Sequence, residues 1–197
     1  MTPTIDLAAD PLIWRTERFV LRPLEDADGP ALLDHLGDPA VVAFLDIEPL
    51  LKPAEALQII GWARERREMN VGVRWAIRIR DGGPMIGTCG YNLVQRERGS
   101  QGEIAYDVGS AHWGQRVMDE ILPELLSFGY EGLGLRRITA LVTDGNGPSC
   151  RLLERHGFRR EGLLRDHGWW KGRFWSQVLY ARLADDPAPA PAPALTD

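Results

Sequence analysis

Glu103-Ile104-Ala105-Tyr106-Asp107-Val108, the loop Trp113-Gly114-Gln115-Arg116, the apolar run Val117 to Leu126 and the segment Arg137 to Val142 decide how this chain folds. In order they read as a strand, an anion-binding turn, a helix and a second strand. Asp144-Gly145-Asn146-Gly147-Pro148-Ser149 then opens a short helix, Ser149 to His156, that stops at Gly157-Phe158. Strand, helix, strand implies a parallel crossover. Each strand-to-helix turn would present helix-start amides on the same side of a sheet. Those amides have no internal partner and carry partial positive charge, so they accept phosphates. A phosphorylated cofactor suits that arrangement.

Working outward, Val73, Trp75, Ile77 and Ile79 alternate with Arg74, Ala76, Arg78 and Arg80, which predicts a period-two strand with one wet face. Asp81-Gly82-Gly83-Pro84 turns it into a partner, Met85 to Val94, and Glu103 to Val108 completes an antiparallel meander. Arg15 to Pro23 is a short β pattern. Asp26 is expected to cap a helix carrying Ala31, Leu32, His35 and Leu36, with Pro30 tolerable in its first turn. Pro39 and Pro49 bracket a connector. Pro53 starts a second helix, with Leu57, Ile60 and Arg64 at helical spacing and Ala56, Ile59 and Ala63 beside them. Pro123 should kink the helix around it or delay its start. Gly157 suits a left-handed C-cap. Leu163–Trp170 and Arg173–Leu183 make a hairpin across Lys171-Gly172. Residues 1–13 read as an extension, 14–184 as one domain, and 185–197 as a disordered Pro/Ala-rich tail.

Composition narrows the function classes. The chain has 197 residues, 44% hydrophobic and 26% charged, as expected of one globular domain with a real core. A net charge of −5 argues against nucleic acid, which demands a dense cationic surface. The arginines of 64–67 and 155–160 are mixed with neighbouring acids and read as solvated helix faces. Cys89 and Cys150 cannot make a disulfide framework. The first residues lack a basic cluster and an apolar core, so no secretory signal is read. No run is apolar enough to cross a bilayer, and the expected compartment is the cytoplasm. His35, His112, His156 and His167 lack metal-ligand spacing. Neither a dinucleotide glycine motif nor a phosphate-binding Gly-Lys-Ser/Thr loop nor a nucleophile elbow occurs.

The order of elements and the residues together resemble the GNAT superfamily of acetyl-CoA-dependent acyltransferases, in particular the branch that acetylates ribosomal-protein N-termini. The matching pieces are Arg15 to Leu24, Gly87-Thr88-Cys89-Gly90, Glu103 to Val108, Trp113-Gly114-Gln115, and Asn146 with Ser149, Leu152-Leu153-Glu154 and Gly157-Phe158. Glu161-Gly162, Leu164-Arg165-Asp166 and Gly172-Arg173 complete them, covering about residues 14–183. The resemblance implies a central, mostly antiparallel mixed α/β (α+β) sheet flanked by helices, with one splayed parallel strand pair. It implies acetyl-CoA as co-substrate, its pantetheine arm along the backbone near Val108 and its pyrophosphate on the amides of Gly114, Gln115, Arg116, Val117 and Met118. Asn146 and Ser149 would meet the thioester end; the other reading of Asn146 is a helix cap or turn residue. Relatives usually have glycine where this chain has Arg116, and glycine or alanine in place of Met118. These larger residues either crowd the pyrophosphate, which would leave a non-catalytic binding protein, or let Arg116 pair with a phosphate.

Acyl transfer to an amine needs a neutral nucleophile and a stabilised leaving thiolate. An α-amine with pKa near 7.7–8.0 costs about 1 kcal/mol to deprotonate at neutral pH, against more than about 4 for a lysine. A peptide N-terminus is therefore the favoured acceptor, a small amine the other. Glu103 is the first candidate base, because several superfamily members carry a glutamate there; its other reading is an exposed polar residue on an alternating strand. Asp107, on the same face, is second, and His167 third. Leu153 replaces the tyrosine that many relatives use as acid, which leaves Ser149 or water. Trp113, Trp169, Trp170, Phe174 and Trp175 read as cross-strand packing or as an acceptor-pocket lining. No metal is expected, and the analogy implies a monomer or homodimer.

Overall fold

The computed structural model describes residues 5–9, 11–97 and 99–187. The strands are β1 (Trp14–Arg15), β2 (Phe19–Pro23), β3 (Val73–Ile79), β4 (Met85–Gln95), β5 (Gln101–Val108), β6 (Arg137–Thr143), β7 (Arg159–Trp170) and β8 (Arg173–Leu183). The helices are α1 (Gly29–Gly37), α2 (Pro39–Val42), α3 (Pro53–Glu68), α4 (Val117–Ser127) and α5 (Gly147–Arg155). The strands form one sheet in the order β1-β2-β3-β4-β5-β6-β8-β7. β5 and β6 pair in parallel, and only over Gln101↔Arg137, Gly102↔Ile138 and Glu103↔Thr139. Past Glu103 the two strands have no pairing with each other. This is the expected fold, splayed pair included.

Val73, Trp75 and Ile77 bury one face of β3 in the main core, with Ile121, Leu122 and Leu125 of α4 and Leu152 and Leu153 of α5. The opposite face is not wet. Ala76 is buried there with Leu32 and Leu36 of α1 and Ala56, Ile60 and Ala63 of α3. Arg74 is paired with buried Asp107, and Arg78 lies 3.4 Å from buried Asp28. A row of arginines mimics a solvent face when its acidic partners are distant in sequence.

Three local expectations shift. Asp26 is not the cap of α1: it sits in a 3₁₀ turn and pairs with Arg64. Asp28 holds the N-cap position of α1 without a side-chain bond to the helix; its carboxylate accepts from Glu25 N (3.0 Å) and pairs with Arg22 (2.7 Å). The Pro39–Pro49 connector contains α2, started by Asp38 Oδ1 accepting from Ala40 N at 2.9 Å. Pro53 does begin α3, and Glu55 Oε2 accepts from Leu51 N and Lys52 N. Its buried face is Ala56, Ile60 and Ala63, with Leu57 46% exposed.

Helix α4 runs through Pro123 with no late start. Six buried side chains, Val117, Met118, Ile121, Leu122, Leu125 and Leu126, outweigh the one ladder bond a proline forfeits. Leu7 and Leu12 are buried in the main core, and Trp75 Nε1 donates to Leu12 O at 2.8 Å. The tail predicted over 185–197 lies, from residue 188 on, outside the described residues. Among the described residues no helix is long and apolar enough to cross a membrane.

Candidate active site

The opening between β5 and β6 begins at Glu103, the last residue of β5 paired with β6. Glu103 is half-buried. Burial pushes its carboxyl above the usual range, with the charges of His167 and Arg66 pulling it down and Asp46 adding to the push. Asp107, two pleats along, is committed elsewhere. It accepts from Thr88 Oγ1 (2.7 Å) and Thr88 N (3.1 Å), lies 2.6 Å from His35 Nε2 and pairs with Arg74. Burial alone would raise its pKa; Arg74, His35 and Thr88 together hold it below the carboxylate range. A carboxylate so saturated is a poor proton acceptor, so Asp107 leaves the list of bases. His167 lines a shallow pocket with Leu163, Leu164, Arg165 and Asp166.

After β5 the chain turns through Gly114 (φ +74°) and Arg116 (φ 56°, ψ 31°) into α4. Arg116 thus occupies the left-handed region, where a side chain is strained and glycine is not. Arg18 holds this turn: its Nη1 donates to Gln115 O (3.0 Å), its Nη2 to Arg116 O (3.2 Å) and its Nε to Glu120 Oε2 (2.5 Å). In a trans peptide the N–H opposes the C=O. Carbonyls turned to Arg18 therefore aim the amides of Arg116 and Val117 the opposite way. The first ladder bond runs from Glu120 N to Arg116 O (3.3 Å), so the amides of Val117, Met118 and Asp119 precede it. A Cβ added at Gly114 would meet nothing within 4 Å, so the turn's surface is open. These features fit a diphosphate. Arg18 was missed at the sequence level, since nothing local marks a side chain that acts across nearly a hundred residues.

Met118 is buried in the main core, 6% exposed, and the Arg116 side chain is exposed. Crowding of the turn by Arg116 and Met118, the premise of the non-catalytic alternative, is not what the packing displays. Asn146 is the N-cap of α5, its Oδ1 accepting from Ser149 N at 3.3 Å. Ser149 Oγ lies 2.7 Å from the hydroxyl of Tyr106, a residue of β5 that sequence reasoning left unassigned. The Val108 carbonyl accepts from Trp113 Nε1 (2.7 Å), so this acceptor is already engaged. Leu153 is fully buried.

The far side of the opening is tied down by the β7–β8 hairpin. Lys171 at its tip donates to Val42 O, at the end of α2, and to Leu45 O (3.0 Å) just beyond it, and Thr143 Oγ1 donates to Phe44 O (2.8 Å). Trp169 and Phe174 are the expected cross-strand pair, edge-to-face at 4.8 Å, and Trp170 stacks on Trp175.

Residues 18–159 match the acetyltransferase (GNAT) domain family. Over 168 residues the chain is 34% identical to the uncharacterized N-acetyltransferase p20 of Bacillus licheniformis, covering 85% of this chain and 94% of that one. Among solved structures it superposes on Mycobacterium smegmatis RimJ in complex with CoA-disulfide, with a TM-score of 0.79, 21% identity and coverage of 88% and 87%. It also superposes on spermidine N-acetyltransferase from Vibrio cholerae in complex with CoA and spermine, with a TM-score of 0.74, 18% identity and coverage of 85% and 96%. The sheet with its parted parallel strands and the match over most of the chain lead to one conclusion: this protein belongs to the GNAT acetyltransferase family and is an acetyl-CoA-dependent N-acetyltransferase.

Proposed function

We propose that the protein moves an acetyl group from acetyl-CoA to the α-amine of a peptide N-terminus, by direct attack in a ternary complex. The observation that carries this reading is Glu103, a half-buried carboxylate with a raised pKa standing where β5 and β6 part. A base works best with a pKa near the working pH, and desolvation moves Glu103 that way. It then accepts a proton, directly or through water, from an amine that is easily made neutral. The amides of Gly114, Gln115, Arg116, Val117 and Met118 would hold the pyrophosphate, with the pantetheine arm along Val108 toward Asn146 and Ser149. In the step itself the amine lone pair forms the N–C bond, the C–S bond breaks with its electron pair on sulfur, and one N–H proton goes to Glu103. Ser149 would donate a hydrogen bond to that sulfur. A thiol of pKa about 8.5 leaves readily as the thiolate, so full protonation is unnecessary.

RimJ and spermidine N-acetyltransferase frame the acceptor question, a protein N-terminus against a polyamine. Incubation with acetyl-CoA and a panel of peptide N-termini, polyamines and aminoglycosides, with released thiol as readout, tests the reading. Turnover is expected with peptides first. Preference for a polyamine would overturn the acceptor assignment, and no turnover across the panel would overturn the activity.

A further inference from the structure

Tyr106 and Ser149 face each other across the parted strands. Tyr106 lies on β5 three residues beyond the last parallel pair, and Ser149 sits in the first turn of α5, just after β6. Their oxygens are 2.7 Å apart. Ser149 is oriented from behind as well, because its amide is tied to Asn146 Oδ1. Both polar atoms of the serine are therefore held by neighbours, which a solvated surface serine would not need. We infer that Tyr106 is a positioning residue for acetyl transfer: its phenol donates to Ser149 Oγ and so leaves the serine O–H to point at the departing sulfur.

The direction of the bond follows from acidity. A phenol is a far stronger acid than an alkanol and is the better donor when the two meet. Burial pushes the Tyr106 phenol up to about 12, with the Ser149 bond pulling the other way, so its proton stays in place throughout the neutral range. With that lone pair of Ser149 Oγ occupied, the serine proton turns outward. Donation from Tyr106 also polarises the serine O–H and strengthens the bond it makes to developing negative charge. No proton crosses from tyrosine or serine in this scheme. The electron pair of the C–S bond ends on sulfur, and the proton given up by the amine ends on Glu103.

The inference rests on the acetyl-transfer reading, and a double-mutant cycle separates the two. Wild type, Tyr106→Phe, Ser149→Ala and the double variant are assayed with acetyl-CoA and the best acceptor of the panel. Tyr106→Phe and Ser149→Ala should each lower kcat about tenfold, with KM for acetyl-CoA within twofold. The double variant should be no slower than Ser149→Ala alone. Ser149→Thr, which keeps the hydroxyl, should retain both activity and sensitivity to Tyr106→Phe. Penalties that multiply in the double variant, or an effect of Tyr106→Phe confined to KM, would overturn the role of Tyr106. Phenylalanine keeps the ring, and melting temperatures within a few degrees of wild type show that the fold is held. If Tyr106→Phe melts early, Tyr106→Gln, which keeps a donor, is compared with Tyr106→Leu: equal kcat values overturn the inference. Wild type without turnover would sink the parent reading instead.

Discussion

Glu103 and Asp107 share one face of β5 and end with opposite character. Asp107 is surrounded by a guanidinium, an imidazole and two donors from Thr88, which favour its charged form over the cost of burial. Glu103 is desolvated without such bonds, and its proton affinity rises. Spacing alone put both on one face of the strand; a difference of partners 33 and 72 residues away in sequence separated them. Glu103→Gln should lower kcat by about 10²-fold, the usual contribution of a general base. The base must be ionised, so the wild-type rate should climb with pH across a limb lying above the ordinary glutamate range. Glu103→Gln should lose that limb in a pH–rate profile.

Among the elements, α4 and its entry turn are where the proposed reading seats the diphosphate of acetyl-CoA. The turn is shaped by two left-handed residues and clamped by Arg18, which orients two amides by holding their carbonyls. Glu120 secures Arg18 in turn, accepting from both its amide (2.8 Å) and its Nε. Arg18→Ala should raise KM for acetyl-CoA severalfold at nearly constant kcat, because it disturbs a binding turn and not the reacting atoms. The same variant should show a smaller rise in melting temperature with CoA, since stabilisation by a ligand follows its affinity. An unchanged KM would show that the amides need no clamp. Arg116→Gly is expected to relieve left-handed strain of roughly 1 kcal/mol and raise the melting temperature.

At the level of the whole molecule, helices cover both faces of one sheet, and its polar face closes on buried aspartates. Asp107 joins α1 through His35, β3 through Arg74 and β4 through Thr88. Asp107→Asn would leave Arg74 without its buried counter-charge, at a cost of about 3 kcal/mol, measurable by denaturant unfolding at pH 7. The sign of the pH dependence follows from the depressed pKa. The stabilisation from Asp107 is complete above the unfolded carboxyl value near 4 and is lost as pH falls through the lower folded value. Wild type should lose stability below about pH 4 more steeply than Asp107→Asn.

Periodicity and turn chemistry determined the meander, the crossover from β5 through α4 to β6, the Lys171-Gly172 hairpin and the cap at Gly157, all of which stand in the structure. These are local matters, settled by side-chain alternation and by which residues tolerate a given φ. The family, too, was readable from ordered short motifs, and the same resemblance singled out Glu103, whose role as base is the proposal made above. Only the tertiary structure decided that the arginines of β3 face buried acids, that Asp107 is spent on them, that Asn146 caps α5, that Arg18 holds the turn before α4, and that Tyr106 meets Ser149. A hydrogen bond or a desolvated charge depends on distance in space, and chain neighbours carry no record of it.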